Sequence, residues 1–329
     1  MNDISLKAVI TGVCGQDGSH MADLLVGKGY EVVGIGRRHA SVKEYNNIKH
    51  LLGNKNFKLV EGDITDLTLI SRILHTYKPH EWYNLACQSN VGHSFVEPMA
   101  TFDVGATAAL GQLEMIRQIS PYTRYYQAST SELWGGLSCP ETGYTEESRF
   151  HPRSPYGVAK LAAFWATVNY REAYGLFACN GILHNHSGPR RGYDFATRKI
   201  TRGVAKIKLG LEDTIKMGNL EAFRDEGSSP DFCRAMWMML QADTPKDYLV
   251  ATGSGATIRE MLEYVCSLAD LDIKDVYEMD ERYMRPSDVP FLLGNPSKIK
   301  NELGWEPKYS WKALLKEMYE NDLFQLTNL

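Results

Sequence analysis

The sequence predicts an α/β protein in which a doubly wound parallel sheet is followed by a smaller C-terminal α/β substrate-binding lobe. Two observations support this fold class. Through the first half of the 329 residues, short runs rich in apolar, β-branched and aromatic residues alternate with amphipathic stretches. The amphipathic stretches end at Gly or Pro, as helices commonly do. Strand–helix alternation of this kind is typical of a parallel sheet covered by helices on both faces.

The elements follow in order along the chain. The strands are predicted over residues 7–11, 31–35, 57–62, 81–86, 123–129 and 177–185, the last preceded by a long helical pattern. After residue 186 the alternation gives way to a basic, loop-rich section, and the remainder mixes helices with short strands. We therefore predict a first domain over 1–186 and a lobe over 187–329, between which the chain can cross.

Composition limits the function classes. A net charge of −4 provides no field that would attract nucleic acid or anionic lipid, so neither is an expected partner. The six cysteines have no CxxC or close His/Cys spacing, which indicates reduced thiols and no metal site. The first residues lack a signal-peptide layout, and no apolar run approaches the length of a membrane span. We expect a cytoplasmic protein.

A glycine-rich turn follows the first predicted strand. Gly12, Gly15 and Gly18 allow a tight turn and let backbone N–H groups approach a pyrophosphate at the start of a helix. The GxxGxxG spacing in this strand–turn–helix context is typical of short-chain and extended short-chain dehydrogenases. The sequence therefore predicts a Rossmann-type dinucleotide site formed by Gly12, Val13, Cys14, Gly15, Gln16, Asp17 and Gly18.

The end of the second strand indicates which dinucleotide binds. An NAD site usually presents Asp or Glu to the ribose there, whereas this chain has Arg37 and Arg38. Guanidinium groups suit a 2′-phosphate, so NADP is predicted and NAD is the less favoured cofactor. The alternative is a solvated basic loop. Asp63 follows the third strand, where such folds contact adenine, and residues 84–89 end the fourth strand beside the expected nicotinamide ribose.

Four residues form the candidate catalytic set. Tyr156 and Lys160 are one helical turn apart, and the lysine ammonium is expected to lower the tyrosine pKa so that the phenolate can act as a base. Thr130 is expected to hydrogen-bond the substrate oxygen that is oxidised. Glu132 could then remove the acidified proton at carbon 5 of a 4-keto sugar and protonate the departing 6-hydroxyl. The alternative for Glu132 is an exposed glutamate at a strand end.

The segments VITGVCGQDGSH, YNLACQSNVGHSF, YYQASTSELWG, RSPYGVAK, NHSGPRRG and LGNPSKIKNELGWEPK together resemble the GDP-mannose 4,6-dehydratase family, and the likeness runs nearly end to end. The resemblance implies an NADP-dependent lyase that forms homodimers or homotetramers, with Thr130, Glu132, Tyr156 and Lys160 as catalytic residues. It also implies a cofactor site and a GDP-sugar site. The implied cofactor residues are Gly12 to Gly18, Arg37, Arg38, Asp63, Ile64, Leu85, Ala86, Cys87, Gln88, Ser89, Tyr156, Lys160, His186 and Arg191. The implied substrate residues are Ser89, Ser131, Asn185, Lys199, Arg224, Arg285 and Asp288.

Several positions depart from the family pattern. Ser187 stands where the family usually has glutamate, Glu226 where it has tryptophan, and His184 where phenylalanine is common. These changes leave two interpretations open: neutral drift in a mannose enzyme, or a GDP-sugar other than mannose, such as a manno-heptose or an N-acetylated sugar. Two other functions also stay open. One is a nucleotide-sugar 4-dehydrogenase or epimerase of the same fold, and the other is a non-catalytic nucleotide-binding protein.

Overall fold

The computed structural model describes residues 5–37, 42–284 and 286–328. Its strands are β1 Lys7–Thr11, β2 Glu31–Gly36, β3 Phe57–Glu61, β4 Glu81–Asn84, β5 Arg124–Thr130, β6 Ala178–Leu183, β7 Asn185–Ser187, β8 Ile215–Met217, β9 Phe223–Ser228, β10 Tyr248–Val250, β11 Gly255–Thr257, β12 Tyr277–Met279 and β13 Phe291–Leu292. Its α-helices are α1 Gln16–Gly27, α2 Leu67–Tyr77, α3 Val91–Ser94, α4 Pro98–Phe102, α5 Ala108–Ile119, α6 Pro155–Tyr174, α7 Ala196–Lys208, α8 Ser229–Gln241, α9 Ile258–Leu268, α10 Ile273–Val276, α11 Ser297–Leu303 and α12 Trp311–Thr327. A 3₁₀ segment spans Val42–Leu51.

A seven-stranded parallel sheet organises the molecule, in the order β10-β6-β5-β4-β1-β2-β3. The order reverses at β1, so the loops after β1 and β4 separate at the carboxyl edge and leave a crevice, as doubly wound sheets do. The predicted fold class is confirmed. The predicted strand 81–86 ends early, at Asn84, because the Leu85 and Ala86 N–H groups donate to the Thr11 hydroxyl, each at 3.0 Å.

The predicted strand 177–185 divides into two strands in different sheets. β6 ends at Leu183, and the His184 N–H still donates to Val250 O of the large sheet, at 2.9 Å. The chain then leaves that sheet, and β7 pairs with β9 in parallel. His184 is therefore the point at which the chain passes from the large sheet to the lobe.

The lobe contains two small sheets, β11-β9-β13 with β7 beside β9, and β12-β8. Its apolar core lies between these sheets and α7, α9 and α12, with Ile200, Met261 and Leu315 fully buried. Two later elements return to the first domain, since β10 joins the large sheet and α8 packs on α1. The chain thus crosses between the two units, while the boundary at 186/187 stays a prediction.

Asp225 hydrogen-bonds to several separate segments of the chain. Its buried carboxylate accepts hydrogen bonds from Thr252 N (2.9 Å), Thr252 Oγ1 (2.6 Å), Gly253 N (2.9 Å) and Gly294 N (3.3 Å). Burial raises the pKa of Asp225 to about 6, although these donors act in the opposite direction. One side chain on β9 therefore holds the turn after β10 and the segment that leads to α11.

We expect Asp225→Ala to lower the free energy of unfolding by about 2–4 kcal/mol, because three backbone N–H groups and the Thr252 hydroxyl lose their acceptor and the buried Asp225 side chain leaves a cavity. Urea unfolding at neutral pH followed by circular dichroism measures this. Asp213→Ala, at an exposed position, is the control and should unfold like the parent protein. Equal stability of Asp225→Ala and the parent would show that the carboxylate is not a structural anchor.

Candidate active site

A cavity of about 750 Å³ opens at the carboxyl edge of the large sheet, between that edge and the lobe. The loops after β1 to β6 all reach it. It brings together residues predicted from distant parts of the sequence: Gly12, Cys14, Gly15, Gln16, Asp17, Gly18, Arg37, Asp63, Ile64, Leu85, Ala86, Cys87, Gln88, Ser89, Thr130, Ser131, Glu132, Tyr156, Lys160, Asn185, His186, Arg191 and Arg224. Two further predicted residues, Arg38 and Arg285, lie outside the described residues.

The glycine turn is packed so closely that side chains are excluded. Gly12 has a φ of +70°, and a Cβ there would lie 2.8 Å from Ala86 Cα. A Cβ on Gly18 would lie 2.2 Å from Gly12 O. Helix α1 starts after Gly15 with no side-chain cap, so its first backbone N–H groups face the cavity. An uncapped helix start beside a glycine turn fits a dinucleotide pyrophosphate.

Asp17 connects this turn to the lobe. Its carboxylate accepts hydrogen bonds from Gln16 Nε2 (2.9 Å) and Ser229 Oγ (2.7 Å), and it contacts His186 Nε2 at 2.9 Å. Burial alone would raise the pKa of Asp17, but the positive charge of His186 and these hydrogen bonds hold it well below its usual range. Burial likewise opposes the His186 charge, yet Asp17 raises the His186 pKa above its ordinary value. The two groups therefore form an ion pair between a buried histidine and a partly exposed aspartate. The His186 ring also stacks on Phe232, with ring centroids 4.6 Å apart.

The end of the cavity at β2 and β3 carries Arg37 and Asp63. Asp63 accepts hydrogen bonds from Thr65 N (2.9 Å) and Thr65 Oγ1 (2.7 Å), which fixes the loop after β3. Asn47 adds a contact that the sequence analysis missed, since its Nδ2 donates to Cys14 O at 3.1 Å. Only the fold places Asn47 beside Cys14, because the sequence around it carries no local motif.

Thr130, Glu132, Tyr156 and Lys160 meet at the opposite end of the cavity. β5 ends at Thr130, and the hydroxyls of Thr130 and Tyr156 hydrogen-bond. Ser154 caps α6 by accepting from Gly157 N at 3.0 Å, which sets the first turn that carries Tyr156. Lys160 Nζ donates to Ala128 O at 2.9 Å and lies 5.8 Å from the centroid of the Tyr156 ring.

The expected lowering of the Tyr156 pKa is not found in the structure. Burial is the largest influence and raises the pKa of Tyr156, and the nearby Cys87 acts in the same direction. The hydrogen bond from Thr130 and the charge of Arg191 oppose this rise without overcoming it. The surrounding side chains therefore favour the neutral phenol of Tyr156, and a further positive charge at the site is needed to favour the phenolate.

Three further predicted site residues, Lys199, Asp288 and Val13, do not line the cavity. Lys199 lies outside the cavity lining: its Nζ donates to Lys216 O at 3.0 Å and sits 3.3 Å from the centroid of the Tyr283 ring. Asp288 accepts from Asn219 Nδ2 at 2.7 Å, also away from the cavity. Val13, predicted to bind cofactor, is fully buried in the core beneath the turn.

His184 is a buried polar side chain in the cavity wall. It is 1% exposed, and neither ring nitrogen has a hydrogen-bond partner among the described residues. Burial lowers the pKa of His184 to about 3, and the charges of Arg224 and His186 add to the effect. The imidazole is therefore neutral at physiological pH, tilted against Trp134 with ring centroids 5.6 Å apart.

The family model for GDP-mannose 4,6 dehydratase matches residues 9–318. The chain belongs to the GDP-mannose 4,6-dehydratase family. It is 47% identical over 325 residues to GDP-mannose 4,6 dehydratase 2 of Arabidopsis thaliana, covering 96% of this chain and 86% of that protein. It is 43% identical over 343 residues to GDP-mannose 4,6 dehydratase of Homo sapiens, covering 96% and 91%.

Solved structures agree with this family membership at the level of the fold. UDP-glucose 4-epimerase from Thermotoga maritima, with UDP-glucose, superposes with a TM-score of 0.85 at 26% identity, covering 98% of this chain and 100% of that one. dTDP-glucose 4,6-dehydratase from Bacillus anthracis, in complex with NAD, gives 0.85 at 23% identity and covers 96% of both chains. The chain therefore shares its overall fold with these two structures.

Three structural features bear on the remaining predictions. Across the described ranges, no helix combines the length and the apolar character needed to cross a bilayer. The described residues contain no cluster of three or more His, Cys, Asp or Glu side chains arranged to hold a metal ion. Burial, followed by the charge of Glu61, raises the pKa of the Cys14 thiol to about 11, which disfavours a reactive thiolate in the glycine turn.

We expect Asp17→Asn to shift the His186 pKa from above to below its ordinary value, because burial and Arg191 then act without the opposing carboxylate. The native charge pair stabilises the fold fully below the ordinary histidine pKa, and this contribution is lost as the pH rises through the raised pKa. NMR titration of labelled histidines measures the shift. Asp23→Asn is the control, because Asp23 pairs with His50 and Arg190. An unchanged His186 titration in Asp17→Asn would contradict the pairing.

Proposed function

We propose that this chain is an NADP-dependent GDP-mannose 4,6-dehydratase, a hydro-lyase that converts GDP-mannose to the 4-keto-6-deoxy GDP-sugar. The observation that carries the proposal is the convergence of Thr130, Glu132, Tyr156 and Lys160 on one cavity that also contains the glycine turn. The family membership and the relatives' names support the same activity. A bound nicotinamide supplies the acceptor and later the donor of hydride.

The residues around the cofactor site fit NADP. The uncapped start of α1 and Arg191, whose Nε has no hydrogen-bond partner within the described segments, suit the pyrophosphate. Arg37 suits a 2′-phosphate at the adenosine end. The same end also has Asp63, Ile64 and Asn47 available for the adenosine.

Each catalytic side chain has a separate task. Tyr156 acts as the phenolate, receives the proton of the 4-hydroxyl as that carbon is oxidised, and later gives this proton to carbon 5 as hydride reaches carbon 6. Thr130, which lowers the Tyr156 pKa, lies beside it and orients the reacting oxygen. Lys160, fixed on Ala128 O, presents a positive charge that favours the phenolate as it forms. Glu132 removes the proton at carbon 5 and returns it to the departing 6-hydroxyl, so water leaves without a net change in charge. Glu132 is 8% exposed, which argues against the exposed-glutamate alternative.

Two departures from the family pattern are neighbours in space. Ser187 lies on β7, where its Oγ hydrogen-bonds Thr197 Oγ1 at 2.8 Å, and Glu226 lies on the adjoining β9. Burial raises the pKa of the Glu226 carboxyl, while Ser187 and the charge of Arg191 oppose the rise. A carboxyl group is thus present beside position 187, although it comes from the neighbouring strand. This favours mannose as the sugar over a heptose or an N-acetylated sugar.

Incubation of the purified protein with GDP-mannose and no added cofactor tests the proposal. Loss of one water from the nucleotide-sugar, with no net NADPH, is the expected result. Net NADPH would favour the 4-dehydrogenase, and an isomer of unchanged mass the epimerase. Turnover of a GDP-manno-heptose or GDP-N-acetyl sugar in place of GDP-mannose would reassign the sugar, and no turnover of any of them would favour a non-catalytic binding protein.

We expect Glu132→Gln to lower the dehydration rate by about 10²- to 10⁴-fold, because the amide cannot transfer the proton from carbon 5. Oxidation at carbon 4 should persist, so NADPH absorbance should accumulate to one equivalent of enzyme at most. Stopped-flow absorbance with mass spectrometry of the sugar measures both steps. Glu141→Gln, at an exposed position, is the matched control. Unaltered dehydration by Glu132→Gln would exclude the assigned role.

We also propose that the protein is a homo-oligomer and acts in the cytoplasm. The oligomer proposal rests on exposed apolar residues of α6 and of two helices that contact it: Val158 and Trp165 on α6, Leu110 on α5 and Met99 on α4, with Trp165 55% exposed. Val158 and Trp165 are seven positions apart and share one face of α6, and a second copy of the same surface would cover them. The six cysteines, all free thiols, suit a reducing compartment.

We expect Trp165→Glu to reduce the molar mass in solution, because a charge then faces the apolar surface of the second copy. Size-exclusion chromatography with light scattering measures the mass. Tyr309→Glu introduces the same charge at an exposed aromatic residue of the lobe and should leave the mass unchanged. A parent protein that is monomeric would refute the oligomer proposal.

A further inference from the structure

A buried ion pair joins the C-terminal helix to the lobe's first helix. Asp322 on α12 has no exposed surface, and its Oδ1 lies 2.7 Å from Arg198 Nη2 on α7. Asp322 Oδ2 accepts from Thr201 Oγ1 at 2.8 Å, and Arg202 Nη1 approaches Oδ1 at 3.5 Å. Arg198 is itself 2% exposed. The pair is therefore shielded from solvent on both sides.

Arg198 has a second partner outside the helices. Its Nη1 donates to Pro189 O, at the beginning of the segment 188–195, which we call the strap. Proline has no N–H of its own, so its carbonyl is the backbone group through which this position can be held. One guanidinium thus connects the strap to Asp322, with each partner on a different nitrogen.

The strap covers the nucleotide end of the cavity. Its residues 190–192, 194 and 195 all line that cavity. Arg190 pairs with Asp23 of α1 at 2.7 Å, and Arg190 O accepts from Asn47 Nδ2 at 3.5 Å. Arg191 sits 3.8 Å from the Phe195 ring centroid. The strap therefore contacts the nucleotide-binding domain through Arg190 and Asp23. It is connected to α12 through Arg198, which binds both Pro189 O and Asp322.

We propose that Asp322 and Arg198 are positioning residues for cofactor retention: together they hold the strap closed over the bound dinucleotide, so that α12 controls how readily the cofactor leaves. This inference rests on the NADP site of the proposed function. Neither residue touches reacting atoms. They act through Pro189 on the two arginines that follow it.

The test separates this task from simple stabilisation of the fold. In Arg198→Met/Asp322→Leu the two fully buried charges are replaced together, and such exchanges are often neutral for stability. Arg202 loses its more distant contact with Asp322, but its side chain is 19% exposed and keeps access to solvent. We expect the Kd for NADPH to rise by about tenfold or more. The thermal midpoint of the cofactor-free protein should stay close to that of the parent. Fluorescence titration of stripped protein and dissociation of the resident cofactor on gel filtration give the readouts.

Two further variants distinguish an effect on NADPH affinity from a general loss of stability. Arg198→Lys retains a cation beside Asp322 but lacks the two-pronged donor needed to hold Pro189 O as well, so it should also weaken NADPH binding. Arg171→Met breaks a comparable pair with Asp247, 2.7 Å apart and far from the cavity, and should lower the thermal midpoint without changing the Kd. A parent-like Kd in either Arg198 variant would overturn the proposal. Turnover of GDP-mannose by the parent protein is measured separately. Absence of turnover would contradict the dehydratase activity, whereas only the NADPH Kd of the variants tests the role of the strap.

Discussion

The carboxylate of Asp17 makes the contacts on which the arrangement of the site depends. It belongs to the first turn of α1, where the backbone must stay open to a phosphate, yet its partners His186 and Ser229 come from the other side of the crevice. Because His186 is buried and its charge is paired with Asp17, moving the two apart would leave the histidine charge without a partner, which is unfavourable. The glycine turn and the lobe therefore keep a fixed separation, and the cavity has a defined width.

The catalytic end is positioned by a different kind of contact. Thr11, Asn84 and Gln127 form a chain of buried side-chain hydrogen bonds across β1, β4 and β5, with distances of 2.8 Å and 2.9 Å. This chain fixes where the strands end, and Thr130 follows three residues after Gln127. The nucleotide end of the cavity is thus held by the Asp17–His186 ion pair. The strands beneath the centre of the cavity are held by hydrogen bonds between neutral side chains. Such preorganisation suits a site that must position one sugar ring through several successive proton and hydride transfers.

Much of this could be predicted from the sequence, because local patterns specify it. The glycine spacing and the strands around it, together with the Tyr156–Lys160 spacing, each lie within a short segment and reflect the geometry of one turn or helix. Lys199 shows the limit of such reasoning: its charge suits a diphosphate, but the packing of α7 directs its side chain to Lys216 and Tyr283. The roles of Asn47 and Asp322 could not be predicted either, since their partners lie far along the chain and the contacts exist only in the folded protein.

The same long-range contacts have a consequence for the order in which the protein matures. Asp17 and Ser229 are 212 positions apart, and Arg198 reaches a partner on the last described helix. During synthesis the nucleotide-binding turn therefore emerges long before the groups that complete it. Contacts of such sequence separation form late and slowly, which exposes the nascent sheet in the meantime. A ribosome-bound chain that ends before α8 would have His186 but neither Ser229 nor Asp322, so the contacts of Asp17 and of the strap are completed only at the end of folding.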